Sequence, residues 1–213
     1  MSLNYGLLKP SPNLINFSYS DFASGRGMQL FNGGTVSPSN YIITDNVYYS
    51  HDITTTTSQT TGGTETGQQD LDFDTELKLP RIIDGKVLVN VTGGVSTDGT
   101  NGTLNVYYKI QVRKWDGSSE TVLGTQQSST WTEAIGGGAV KDRTFAIEVS
   151  VTNELIKAGE TLRINVEMWG WGPSNAWQFI TAHDPMERDD PNAVIANNSP
   201  KALKVWIPFK TSI

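Results

Sequence analysis

Two runs of strict alternation dominate the chain: Phe145/Ile147/Val149/Val151 and Leu162/Ile164/Val166/Met168. A period of two puts one set of side chains on a buried face and the other toward solvent, so both runs predict half-buried strands. The connector NELIKAGE between them offers at most a turn of helix, at NELIK. Upstream, Ile42, Ile43, Val47, Tyr48 and Tyr49 form a β-branched and aromatic strand region. Leu71/Phe73/Thr75/Leu77/Leu79 alternate with Asp and Lys on the opposite face until Pro80 closes the strand. Val87/Val89/Val91 follow an Asp84-Gly85 turn, and GGVSTDGTNG separates them from Leu104/Val106/Tyr108/Ile110/Val112. Asp116-Gly117 then predicts a hairpin with a loop of about four residues, returning through Val122 and Leu123. These three strands are expected to form an antiparallel meander. Trp131 and Ile135 mark a further short strand before Gly136-Gly137-Gly138. In the last run, Leu203/Val205/Ile207/Phe209, Pro208 lacks the N–H of a central ladder and predicts an edge strand or a strand end.

Residues 1–40 show no such period. Leu14, Ile15, Phe17, Tyr19 and Phe22 are interleaved with prolines and glycines, which disfavours helix and long strand. The segment is too apolar for a free tail. It is expected to be an extended assembly arm, laid over its own domain or over a neighbouring subunit. The polar tract TTTTSQTTGGTETGQQ predicts a mobile solvated loop, or a glycan-contacting one, because it has no apolar partners to offset its ordering entropy. Eight or more short strands, turn signals and no amphipathic helix predict an all-β fold. The expected form is a two-sheet antiparallel β-sandwich of jelly-roll type over residues 41–213, a single closed barrel being the alternative.

Composition narrows the chemistry. The chain has 213 residues and no cysteine, so disulfides, thiolate nucleophiles and cysteine-ligated zinc are excluded. A domain of this size buries roughly 70% of its unfolded surface and needs no staple. Net charge is −6, and its 16 Lys and Arg are scattered, which argues against nucleic-acid partners and anionic membranes. No apolar run is long enough for a transmembrane helix, and MSLNYGLLKP lacks the pattern of a secretory signal. Sequons at Asn16, Asn90, Asn101 and Asn197 are expected by chance in so Asn- and Thr-rich a chain.

Two places carry candidate chemistry. WGWGPSNAW sets Trp169, Trp171 and Trp177 close together. Trp169 and Trp171 share parity opposite to Met168, so a continuing strand points both indoles away from the core. Such a cluster stacks on sugars, buries against a protein partner, or caps an open end of the sandwich. His183-Asp184 with Glu187, Asp189 and Asp190 supplies carboxylates that could suit Ca²⁺, but in no EF-hand spacing; a solvated acidic loop with Arg188 pairing locally is the simpler expectation. A base–carboxylate pair at His183 and Asp184 is disfavoured because adjacent residues of an extended chain face opposite sides. No G-x-S-x-G and no phosphate-cradling loop occurs, so no catalytic residue and no cofactor is predicted.

The succession of alternating strand, the connector ELIKAGETLRI, a second alternating run, a DP-containing loop and the terminal KVWIPFK is similar to virion structural proteins of tailed bacterial and archaeal viruses. That resemblance, over roughly residues 70–213, implies a capsid decoration, minor capsid or tail component, non-enzymatic, made in the host cytoplasm and located in the virion with copies of itself and other virion proteins. A carbohydrate-binding module or receptor-binding head is the alternative.

Overall fold

The computed structural model describes residues 26–97, 101–136, 139–189, 195–196 and 198–210. They are all β, with no helix among the described residues. The strands are β1 (Arg26–Ser37), β2 (Asn40–Thr44), β3 (Thr54–Thr60), β4 (Thr66–Glu76), β5 (Arg81–Thr97) and β6 (Gly102–Trp115). They continue with β7 (Glu120–Gln127), β8 (Trp131–Ile135), β9 (Lys141–Ile156), β10 (Thr161–Trp171), β11 (Ala176–Ala182) and β12 (Leu203–Lys210). The two alternating runs lie on β9 and β10, and every one of their apolar residues is buried. The chain runs as strand through NELI and turns at Gly159, whose φ of 83° suits glycine, so no helical turn forms.

Hydrogen bonds join all twelve strands into one mixed sheet that does not close, in place of two separate antiparallel sheets. The path runs β3-β11-β5-β12-β1-β2-β4-β10-β6-β7, with β9 on β5 and β8 on β6. Its halves meet at a single parallel bridge, Ile42↔Asp74. They nevertheless share one core: the Tyr108 ring of β6 packs edge-on against Phe145 of β9 with centroids 5.2 Å apart. The Tyr108 hydroxyl also bonds Thr181 Oγ1 of β11 at 2.8 Å, and Gln69 Oε1 accepts from Thr181 at 2.6 Å. A buried hydroxyl demands such partners, and this chain fixes the register between the halves.

Several local expectations are corrected. The threonine tract is no loop: Thr54–Thr60 is β3, paired with β11 from Thr54↔Ala182 to Thr60↔Ala176. Ladder bonds and the Gln69 amide, which donates to Thr55 O at 3.0 Å, supply the order that burial does not. The stretch GGVST continues β5, because Gly93 leaves room for Tyr108; a Cβ there would lie 2.5 Å from the hydroxyl. Asp84-Gly85 is a bulge inside β5, where the register to β9 shifts between Ile83 and Gly85. That bulge explains Pro208. β12 is internal, between β1 and β5, yet its ladder to β5 is interrupted between Trp206 and Phe209, so the missing N–H is tolerated opposite Gly85. The expected meander is reduced to the β6–β7 hairpin, since β5 pairs with β9, β11 and β12. That hairpin turns through DGSS as read, with Asp116 Oδ1 accepting from the Ser118 and Ser119 amides.

Of the expected arm, residues 26–37 form β1, held by β12 and β2 on its two sides despite the glycines. Leu14, Ile15, Phe17, Tyr19 and Phe22 lie outside the described residues.

Candidate functional site

Parity decides which side chains reach the outer face of β4, β10 and β6. On β10 the even positions Leu162 to Met168 face the core, leaving Arg163, Asn165, Glu167, Trp169 and Trp171 outward. The registers of both neighbours are known, so the face reads as rows across three strands. These are Gly67·Trp169·Tyr107, Asp70·Glu167·Lys109, Asp72·Asn165·Gln111 and Asp74·Arg163·Arg113.

The first row is aromatic. The Trp169 indole lies parallel to the Tyr107 ring, at 5° with centroids 6.2 Å apart, and Trp171 meets the same ring edge-on at 6.3 Å. Trp169 Nε1 donates to Glu167 Oε2 at 2.7 Å, and Lys109 Nζ sits 5.6 Å from its centroid. The Tyr107 hydroxyl donates to Glu65 Oε1; burial and that carboxylate push its pKa upward. Trp169 and Trp171 thus occupy the outward position that their parity predicts.

The remaining rows form a charged ladder. Arg163 grips Asp74 with two bonds of 2.7 Å and reaches Glu120 at 2.8 Å. Arg113 bonds Glu120, Gln111 and Asn165, and Lys109 pairs with Glu167 at 3.1 Å. Asn165, fully buried, donates to both Asp70 and Asp72. Burial pushes the Asp72 carboxyl upward against the pull of Asn165 and Arg163. Bidentate, mutually braced pairs of this kind hold long side chains in one geometry.

Two shallow depressions that meet at Asp70 make a groove along β4 beside this face. One end is lined by Gly67, Gln68, Asp70, Glu167 and Trp169, the other by Asp70, Asp74, Arg163 and the Ser39–Tyr41 turn. The second end lies where β2 bonds β4 only at Asp74.

Trp177 is elsewhere. It shares the inward side of β11 with Phe179, is 1% exposed, and donates from Nε1 to Pro173 O at 3.3 Å. It belongs to the core, the structural role open to it in the sequence, because the turn after Trp171 starts a new strand with its own parity.

The His183 and Asp184 side chains diverge, as adjacency predicts. His183 is buried, its Nε2 2.8 Å from Thr55 Oγ1 and its ring against Tyr41 and Phe73. Burial pulls its pKa down to about 4. Asp184 is also fully buried rather than part of a solvated loop. It takes the Arg188 backbone amide at 2.7 Å and two guanidinium bonds of 3.0 Å, while Arg188 also bonds Ser50 O and covers the Tyr49 ring. A carboxylate so engaged clamps the loop. Glu187 pairs with Lys204 at 2.7 Å, and among the described residues no three acidic or imidazole groups gather as a metal site; Asp190 lies outside them.

Tyr107, Gly67 and the carboxylate rows were not singled out in the sequence. Their signal was the polar half of two alternating runs, DLDFD and YYKIQVR, but only the strand register places those halves side by side.

No protein-family model and no curated protein matches the chain. Solved structures match only distantly. An aminopeptidase from the marine sediment archaeon Thaumarchaeota archaeon shares 7% identity at a TM-score of 0.50, over 86% of this chain and 37% of its own. A CocE/NonD family hydrolase from Staphylococcus aureus shares 10% identity at 0.48, with the same coverage. The structure of infectious bursal disease virus Gx strain shares 12% at 0.31, over 88% and 37%. The chain thus spans little more than a third of the length of these chains, and the likeness is one of β architecture alone.

Proposed function

We propose that this chain is a non-enzymatic structural protein of a virus particle, a jelly-roll-type β domain that meets its partners through the outer face of β4, β10 and β6. One observation carries the choice of face: Trp169, Tyr107 and Trp171 form an outward aromatic cluster on a sheet braced by ion pairs. Rigid aromatic groups bury large area at small entropic cost, which is what repeated contacts between copies and neighbouring virion proteins need. Symmetric self-association is the expected mode.

Light scattering over a concentration series tests this. The wild-type chain is expected to grow beyond the monomer mass as concentration rises, and a Trp171→Arg variant that melts at the same temperature is expected to stay monomeric. Strict monomers at all concentrations, or unchanged growth in the variant, would overturn the assignment of this face. A receptor-binding role is the second reading, favoured by the groove beside Trp169.

A further inference from the structure

The geometry points to a glycan-binding groove along β4, floored by the open flank of Trp169. This rests on the proposal that the outer face of β4, β10 and β6 is the contact surface, and it names a ligand class for one part of it.

Three independent features converge there. The strand opposite Trp169 presents Gly67, its register partner, so no side chain covers the indole on that flank. A Cβ at Gly67 would stand 3.7 Å from Cε2 and Cζ2, within contact of the ring. Next, β4 carries a bulge at this point: Met168 pairs with Gln69 but Trp169 with Gly67, so Gln68 is extra. The bulge turns Gln68 inward to Gly170 O and keeps both Gly67 and Asp70 outward on either side of it. Bulges are over-represented where a strand must re-aim its side chains beside a site. Finally, the groove walls offer fixed polar groups. Asp70 Oδ1 holds the Asn165 amide, and among the described residues no bond engages Asp70 Oδ2. Glu167 is held by Lys109 and by Trp169 Nε1.

The half-buried Trp169 indole, open on the side of Gly67, beside fixed carboxylate acceptors and an ammonium donor, matches a pyranose, whose C–H face stacks on the ring while its hydroxyls bond the rim. The charge of the lining selects further. Asp70, Asp72, Asp74 and Glu167 outnumber Lys109 and Arg163 along the groove, which disfavours sulfated or uronic polymers and favours neutral sugars. From Gly67 to Asp74, opposite six steps of β10, the groove extends roughly 20 Å at the rise of a strand, room for an oligosaccharide lying along β4.

Titration of the full chain with maltohexaose, cellohexaose and hexa-N-acetylchitohexaose, followed by calorimetry and tryptophan fluorescence, tests the inference. At least one neutral hexamer is expected to bind, at least tenfold more weakly to Trp169→Ala. Gly67→Val, which covers the indole at ordinary contact distance from a backbone of unexceptional φ, is expected to weaken binding equally while melting at or above the wild-type temperature. Trp206→Ala, on β12 away from this face, is expected to bind as wild type. Failure of all three hexamers, unchanged affinity in Gly67→Val, or binding of a heparin oligosaccharide alone would overturn the glycan groove. The broader contact face stands or falls separately: self-association lost in Trp171→Arg with no sugar bound removes the groove and keeps the face.

Discussion

Trp169 and Tyr107 face each other across β10 and β6 as register partners with parallel rings, while Trp177, eight residues on, is sealed in the core. One tryptophan cluster in the sequence therefore divides into surface and interior. Trp177→Ala is expected to destabilise the fold by about 3–5 kcal/mol, the cost of emptying a large aromatic site. Trp171→Ala should change stability by about 1 kcal/mol or less. Urea denaturation of both variants checks the contrast, and equal losses would refute it.

His183 predicts a pH dependence with a definite sign. Its folded pKa is depressed from 6.5 to about 4, mainly because burial beside Thr55 disfavours the imidazolium. The unfolded chain therefore takes up the proton first. The contribution to stability is fully present above about pH 6.5 and is lost as pH falls toward 4, roughly 3 kcal/mol in all. Between pH 7 and 5 the wild-type urea midpoint should fall further than that of His183→Gln, and parallel curves would count against the assignment.

Gly93 and Tyr108 are coupled. A Cβ on Gly93 would press within 2.5 Å of the phenol oxygen, so Gly93→Ala should cost about 1–3 kcal/mol. In a Tyr108→Phe background the same substitution should cost less, because the nearest colliding atom is gone, although ring Cε2 at 2.7 Å still presses on the new methyl and Thr181 keeps only its bond to Gln69. A double-mutant cycle measures this. Strictly additive losses would mean that the strands shift to accommodate the new methyl.

These contrasts follow the line between what alternation reveals and what it hides. The inward residues of β6, β9, β10 and β12, Leu71 and Phe73 of β4, and the outward parity of Trp169 and Trp171 were legible, because period two is a local property, whereas the β4 run stops at Glu76 and leaves Leu79 exposed. Pairing was not. β9 and β10 are consecutive in sequence but join different partners, and the bulge that admits Pro208 into an internal strand depends on Gly85, more than a hundred residues away. The threonine tract misled for the same reason: its order comes from β11 and the Gln69 amide, neither visible in its own composition.

Arg163 ties the charged rows together. Replacing it with methionine should cost about 1–2 kcal/mol by leaving Asp74 without its fork, and lysine should restore little, since one ammonium cannot make both bonds. Comparison of chemical denaturation for Arg163→Met and Arg163→Lys decides the point; full stability in the lysine variant would show that charge alone suffices.

Hydroxyl-radical footprinting of the chain, free and assembled, tests the outer face most directly. Trp169 and Trp171 are expected to be oxidised in the free chain and Trp177 spared, and assembly is expected to protect Trp169 and Trp171 while leaving the exposed Met186 reactive. Trp169 and Trp171 equally reactive in both states, with protection falling elsewhere, would contradict it.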